Sequence, residues 1–150
     1  MDQLILLLYL VLIVAPISTI LHEAGHLFGA KSVRAEKIEL RIGIGKPLVK
    51  RKFSNVVFIV HQIYFIGGMT KSEREPPYNN KEKIWISMLG PTANTVFAFL
   101  ASIYLYNYPN KWISLLFWFN VWMAAGNLIP FRWRGSQTDG LTILQLLKNR

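Results

Sequence analysis

The stretch Thr19-Ile20-Leu21-His22-Glu23-Ala24-Gly25-His26-Leu27-Phe28-Gly29 decides how the rest of the chain is read. It holds the pattern H-E-x-x-H at the end of the most apolar run in the sequence. On a helix, residues four apart share a face one turn above one another, so two imidazoles at His22 and His26 can reach a single metal ion. Glu23 lies beside them, placed to take a proton from water held at such a metal. Zinc is the expected ion, one per chain, because neutral imidazole suits it and a hydrolytic site needs three protein ligands with one position left open. A lone histidine on an apolar face is usually a satisfied core residue. Three ionisable residues inside a lipid-length helix are costly to bury, however, and chance spacing leaves Glu23 unexplained.

Outward from this motif, the 150-residue chain reads as one domain. Its hydrophobic share of 52% is only slightly above a soluble average, so distribution carries the argument instead. No charged side chain lies between Asp2 and His22, and Leu4 to Leu21 is a nearly unbroken apolar run. The run exceeds the apolar core of a signal peptide and lacks a basic start, and cleavage near Ala30 would discard the histidines. The expectation is a retained transmembrane helix from Gln3 to about Ala30, bent at Pro16. At about 1.5 Å per residue, His26 then lies roughly 7 Å and His22 roughly 13 Å from Lys31, inside the membrane but near one face. Gly25 and Gly29 form a small-x-x-x-small pair that lets another helix approach closely, for packing or for substrate access. With no cysteine in the chain, disulfides and thiolate zinc sites are excluded.

Residues 31–83 carry 12 of the 17 Lys and Arg. Within them, Lys37 to Ile44 alternates apolar and polar residues as a strand does, and Gly43 and Gly45-Lys46-Pro47 punctuate it. Asn55 to Ile66 is rich in β-branched and aromatic residues and ends at Gly67-Gly68, which reads as a strand and a turn. A small β-hairpin or sheet over about 37–66 is expected at the membrane surface. His61 sits in its second strand, either as a third metal ligand or, on the usual exposure of such positions, as a solvent-facing residue. Ser72 to Asn80 reads as a surface loop.

Two further lipid-length segments follow, at about 84–106 and 112–130, joined by the polar turn Asn107 to Lys111. Tyr104, Tyr106, Tyr108 and Trp112 suit an interfacial belt. The basic 31–83 loop and C-terminal Arg132, Arg134, Lys148 and Arg150, against Lys111 alone in the turn, put that loop and the C-terminus in the cytoplasm and the N-terminus outside. The net charge of +9 is then explained by topology and anionic membrane lipid, with no nucleic acid needed. The end of the third segment must share a side with His26, and Asp139 there is the only acidic residue after Glu82. It can complete a metal site, cap the short amphipathic helix expected over 139–148, or both.

Taken in order, His22-Glu23-Ala24-Gly25-His26, Gly90-Pro91-Thr92-Ala93-Asn94, and Asn127-Leu128-Ile129-Pro130 with Asp139-Gly140 resemble the site-2 protease family of intramembrane zinc metalloproteases, the M50 peptidases. The stretch through Phe65-Ile66-Gly67-Gly68 is similar to the family's glycine-ended hairpin. The resemblance spans about residues 18 to 147. It implies that His22, His26 and Asp139 bind zinc, that Glu23 is the general base, and that Asn94 and Asn127, with Gly67 and Gly68, border a substrate. Two features depart from the family: a long insert between Pro130 and Asp139, and the lack of any PDZ or CBS module in 1–150. The implied partner is a transmembrane protein or peptide substrate at the cell membrane; the oligomeric state is unknown. The alternative is a membrane zinc protein of the same fold that binds partner helices without cutting them. A hydrolase acting on lipid or small amides is a further class that only the resemblance disfavours.

Overall fold

The computed structural model describes residues 2–133 and 135–148. Arg134 and Arg150, counted above in the charge asymmetry, lie outside the described residues. The chain opens with α1 (Asp2–Tyr9), passes through a π-helical stretch (Leu10–Val14) and continues as α2 (Ala15–Ser32). Pro16 is the cause of the wide turn: it has no N–H to donate and its ring crowds the preceding turn. The ladder skips a residue there, with the Ala15 N–H bonding the Leu10 carbonyl. The expected bend at Pro16 is thus a widened turn just before it. Gln3–Ser32 remains one continuous apolar rod.

A long hairpin follows, β1 (Lys37–Phe53) and β2 (Val56–Glu73). Ile38, Leu40 and Ile42 are buried in alternation, the period-2 signature visible in the sequence. Ile38 and Val56 join Ala30 and Ala35 in a core cluster that Leu27 and Ile86 flank, which seats the sheet on the end of α2. The sheet corrects the expected bounds. Its turn is at Ser54 and Asn55, and Gly67-Gly68 lies inside β2 rather than at its end. Ser72 and Glu73, expected in a loop, are strand residues. The reason is long-range pairing. Ile38–Ile42 lie opposite both Val56–Val60 and Ser72–Gly68, so the chain bends at its glycines and keeps pairing. Gly67, at φ +69, supplies one such bend.

The helix α3 (Asn80–Asn107) is started by a capping box between Asn79 and Glu82. Arg74 braces that start: it donates to both Glu82 carboxylate oxygens at 2.9 and 3.0 Å and to the Val33 carbonyl at 2.7 Å. The bond to Glu82 pushes the Arg74 guanidinium up from its ordinary range. Against α3, the glycines of α2 do the packing. A Cβ on Gly25 would run into the Leu89 carbonyl, and one on Gly29 would sit 3.0 Å from Ile86 Cα. Gly25→Ala should therefore push α2 and α3 apart and cost about 1–3 kcal/mol, read as a lowered unfolding midpoint in detergent.

Two helices among the described residues, Gln3–Ser32 and Asn80–Asn107, are long and apolar enough to cross a membrane. The third expected span is α4 (Lys111–Leu128), whose 18 residues include Asn120, Asn127 and three tryptophans. It stops at Leu128 because Ile129 precedes Pro130 and is held extended. The insert before Asp139 folds into a minimal hairpin, β3 (Arg132–Trp133) with β4 (Ser136–Gln137), turning through Gly135 at φ +85. The chain closes with α5 (Asp139–Lys148), the helix expected over 139–148.

Candidate metal centre

Both histidines face α3. His26 donates Nδ1–H to the Ile86 carbonyl at 2.8 Å, and a carbonyl can only accept. His22 Nδ1 lies 2.8 Å from Asn94 Oδ1. The Asn94 amide nitrogen donates elsewhere, to the Ser18 carbonyl at 3.0 Å and to Asn120 Oδ1 at 2.7 Å, so its oxygen is the acceptor toward His22. Each ring thus has a hydrogen on Nδ1 and turns Nε2, the atom a metal would take, inward. Gly90 makes the room, because a Cβ there would strike the His26 ring and come within 2.9 Å of His22 Nε2.

Asp139 arrives from the other end of the chain. Gly140 lets the start of α5 press on the end of α4, since a Cβ at that position would overlap the Leu128 carbonyl. The cap of α5 is Thr138, whose hydroxyl accepts from the Leu141 N–H at 3.3 Å and whose carbonyl accepts from the Thr142 N–H at 3.1 Å. Asp139 is therefore not the cap it was open to being. Its carboxylate is free to meet the rings instead, Oδ2 at 3.1 Å from His22 Nε2 and Oδ1 at 3.4 Å from His26 Nε2. The two Nε2 atoms are 3.1 Å apart.

Two ring nitrogens and a carboxylate this close call for a positive charge between them, either a ring proton or a bound metal cation. The spacing fits one. Zinc bound tetrahedrally to nitrogen and oxygen at about 2.0–2.1 Å sets neighbouring ligand atoms roughly 3.3 Å apart. His22, His26 and Asp139 can offer one ligand atom each within 4.8 Å of one another. The residues present fit the metal that the histidine spacing suggested.

Glu23 is 5% exposed and points from α2 toward the edge of β2. There Gly68 comes close to it and Thr70 donates to its Oε2 at 2.7 Å. Asn94 is fully buried and serves His22 from behind. Asn127 turns its amide back onto its own helix, to the Met123 carbonyl at 2.9 Å, and among the described residues makes no hydrogen bond to the metal group or to Glu23. His61 stays on the sheet, its Nδ1 3.2 Å from the Ile42 carbonyl, and is not one of the metal group. A cavity lies elsewhere, between Lys37, Glu39, Lys52, Asn55 and Lys71.

Behind His22 a buried chain continues that sequence reasoning missed. Asn120 is fully buried and donates to Ser18 Oγ at 2.9 Å and to the Leu116 carbonyl at 2.8 Å. Polar side chains amid apolar helix were the available signal, since each is expensive there without a partner. Asn94→Ala should remove the acceptor that fixes His22 and weaken zinc affinity by about 10–100-fold in a competition titration.

The model of peptidase family M50 matches residues 8–113, and the chain belongs to that family. M50 peptidases are metalloproteases, zinc-dependent in general. With the two apolar helices, membership indicates a membrane protein. The match takes in His22, Glu23, His26 and Asn94 and stops short of Asp139, so the third ligand rests on geometry. No curated protein matches the chain closely enough to count as a relative.

Proposed function

We propose that the protein is a zinc-dependent intramembrane endopeptidase that hydrolyses peptide bonds of membrane-spanning substrates near the cytoplasmic face. The convergence of His22, His26 and Asp139, with Glu23 alongside, carries this reading. Three spans, with α4 as the third, put the basic 31–83 loop and the C-terminus in the cytoplasm and the N-terminus outside. His22, His26 and Asp139 would hold the zinc, which would supply polarisation of a carbonyl and a water acidic enough to attack near neutral pH. Glu23 takes the proton of the attacking water and delivers it to the leaving amine nitrogen, so the scissile C–N bond breaks with its proton accounted for.

A spanning helix has its amides bonded internally, so a substrate must unwind before it can be cut. The edge of β2 beside Glu23, through Gly67 and Gly68, can take the unwound segment as an added strand. Gly68 supports this, because a side chain there would fill the space against Glu23. Helix-breaking residues near the cytoplasmic end of a substrate therefore favour cleavage.

The test uses purified protein in liposomes with single-span peptides carrying Gly or Pro near that end. Mass spectrometry should find cut fragments, lost when a chelator removes zinc and regained when zinc is returned. Zinc-loaded protein that binds such peptides and cuts none of them would instead favour a scaffold that holds partner helices.

A further inference from the structure

We propose that Thr70 is a positioning residue for Glu23, its hydroxyl fixing which carboxylate oxygen is left to carry the proton; this rests on the peptidase reading of Glu23 as base. A glutamate side chain has three rotatable bonds, and lying beside two metal ligands does not orient its carboxylate. Among the described residues, the one side-chain hydrogen bond to Glu23 comes from Thr70, Oγ1 to Oε2 at 2.7 Å. A carboxylate only accepts, so the threonine hydroxyl is the donor. The same hydroxyl oxygen lies 3.2 Å from the Glu23 main-chain carbonyl, so the strand packs close to that turn of α2.

Gly68 completes the cradle. It is two residues before Thr70 and so faces the same side of the strand. A Cβ on it would lie 2.7 Å from Glu23 Cγ, 2.9 Å from Oε1 and 2.8 Å from Thr19 Cγ2. One residue clears space for the carboxylate and the other ties down one oxygen. Oε1 is then the free oxygen. A peptide added to this strand edge would be held in register by the element that holds the base, which sets the approach of the scissile bond to Oε1. Thr is common in strands for packing reasons alone, so its identity in the sequence gave no hint of this.

Thr70→Val keeps the shape and removes the hydroxyl; Thr70→Ser keeps the hydroxyl and removes the methyl. In zinc-loaded protein cutting one peptide, Thr70→Val should lower kcat by about 10–100-fold with KM within about twofold, and Thr70→Ser should stay within about threefold of wild type. Zinc content should match in all three. In infrared spectra of protein with labelled glutamate, the Glu23 carboxylate band, isolated by subtracting Glu23→Gln, should shift in Thr70→Val. Wild-type kcat in Thr70→Val, equal losses in both variants, or an unshifted band would each overturn the assignment. Wild type that holds zinc and cuts nothing would count against the peptidase reading. A cutting wild type with an unimpaired Thr70→Val counts against Thr70 alone.

Discussion

Asp139→Ala is expected to strip the protein of firmly bound zinc. Wild type should purify with close to one equivalent, because two neutral imidazoles and one carboxylate meet at tetrahedral spacing. Removing the carboxylate leaves two ring nitrogens and no anionic ligand to offset a dication in apolar surroundings. The loss should exceed the roughly 10–100-fold that removing an outer-shell partner such as Asn94 costs. Zinc measured by elemental analysis after dialysis reads this directly. Full occupancy in Asp139→Ala would mean that another group supplies the third ligand. The fold should survive, because Thr138 caps α5 without help from Asp139 and Gly140 still seats it on Leu128.

How much of this was legible beforehand follows from how local each signal is. His22, Glu23 and His26 could be placed because helical spacing alone puts two rings on one face. The buried alternation of Ile38, Leu40 and Ile42 is also a local pattern, and the structure follows it. Asp139 was reachable only through the topology argument and the resemblance. Its competing role as a helix cap was undecidable, because Thr and Asp both cap well and sit side by side. The path of β2 beyond Gly67-Gly68 was not legible: glycine reads as a stop, and what carries the strand onward is pairing with Ile38–Ile42, some thirty residues away in the chain. The Ser18, Asn94 and Asn120 network is of the same kind. Each residue could be flagged as an expensive polar group, yet its partners lie 26 to 102 positions distant.

The buried polar residues divide between two tasks, and the division bears on what each variant should do. Asn94, Asn120 and Ser18 act on His22 from behind and bear on metal affinity. Thr70 and Gly68 touch Glu23 from the sheet and bear on turnover. Loss of zinc and loss of chemistry should therefore separate by which side of α2 is altered.

Glu23→Gln gives the sharpest form of that separation. Glutamine is nearly isosteric, and Thr70 can still donate to its amide oxygen, so the strand should stay against α2. Glutamine cannot accept a proton from water near neutral pH, and general-base assistance is worth about 10²–10⁴-fold. Turnover should fall by that factor while zinc stays near one equivalent, since Glu23 is not one of the three converging ligands. Substrate should still bind, so the variant should retain an uncut peptide in liposomes that wild type converts to fragments. Unimpaired cleavage by Glu23→Gln would remove Glu23 from the chemistry and leave its buried carboxylate a structural tie to the sheet. Loss of zinc along with turnover would make Glu23 part of the metal site itself, and the roles argued for His22, His26 and Asp139 would have to be redrawn around it.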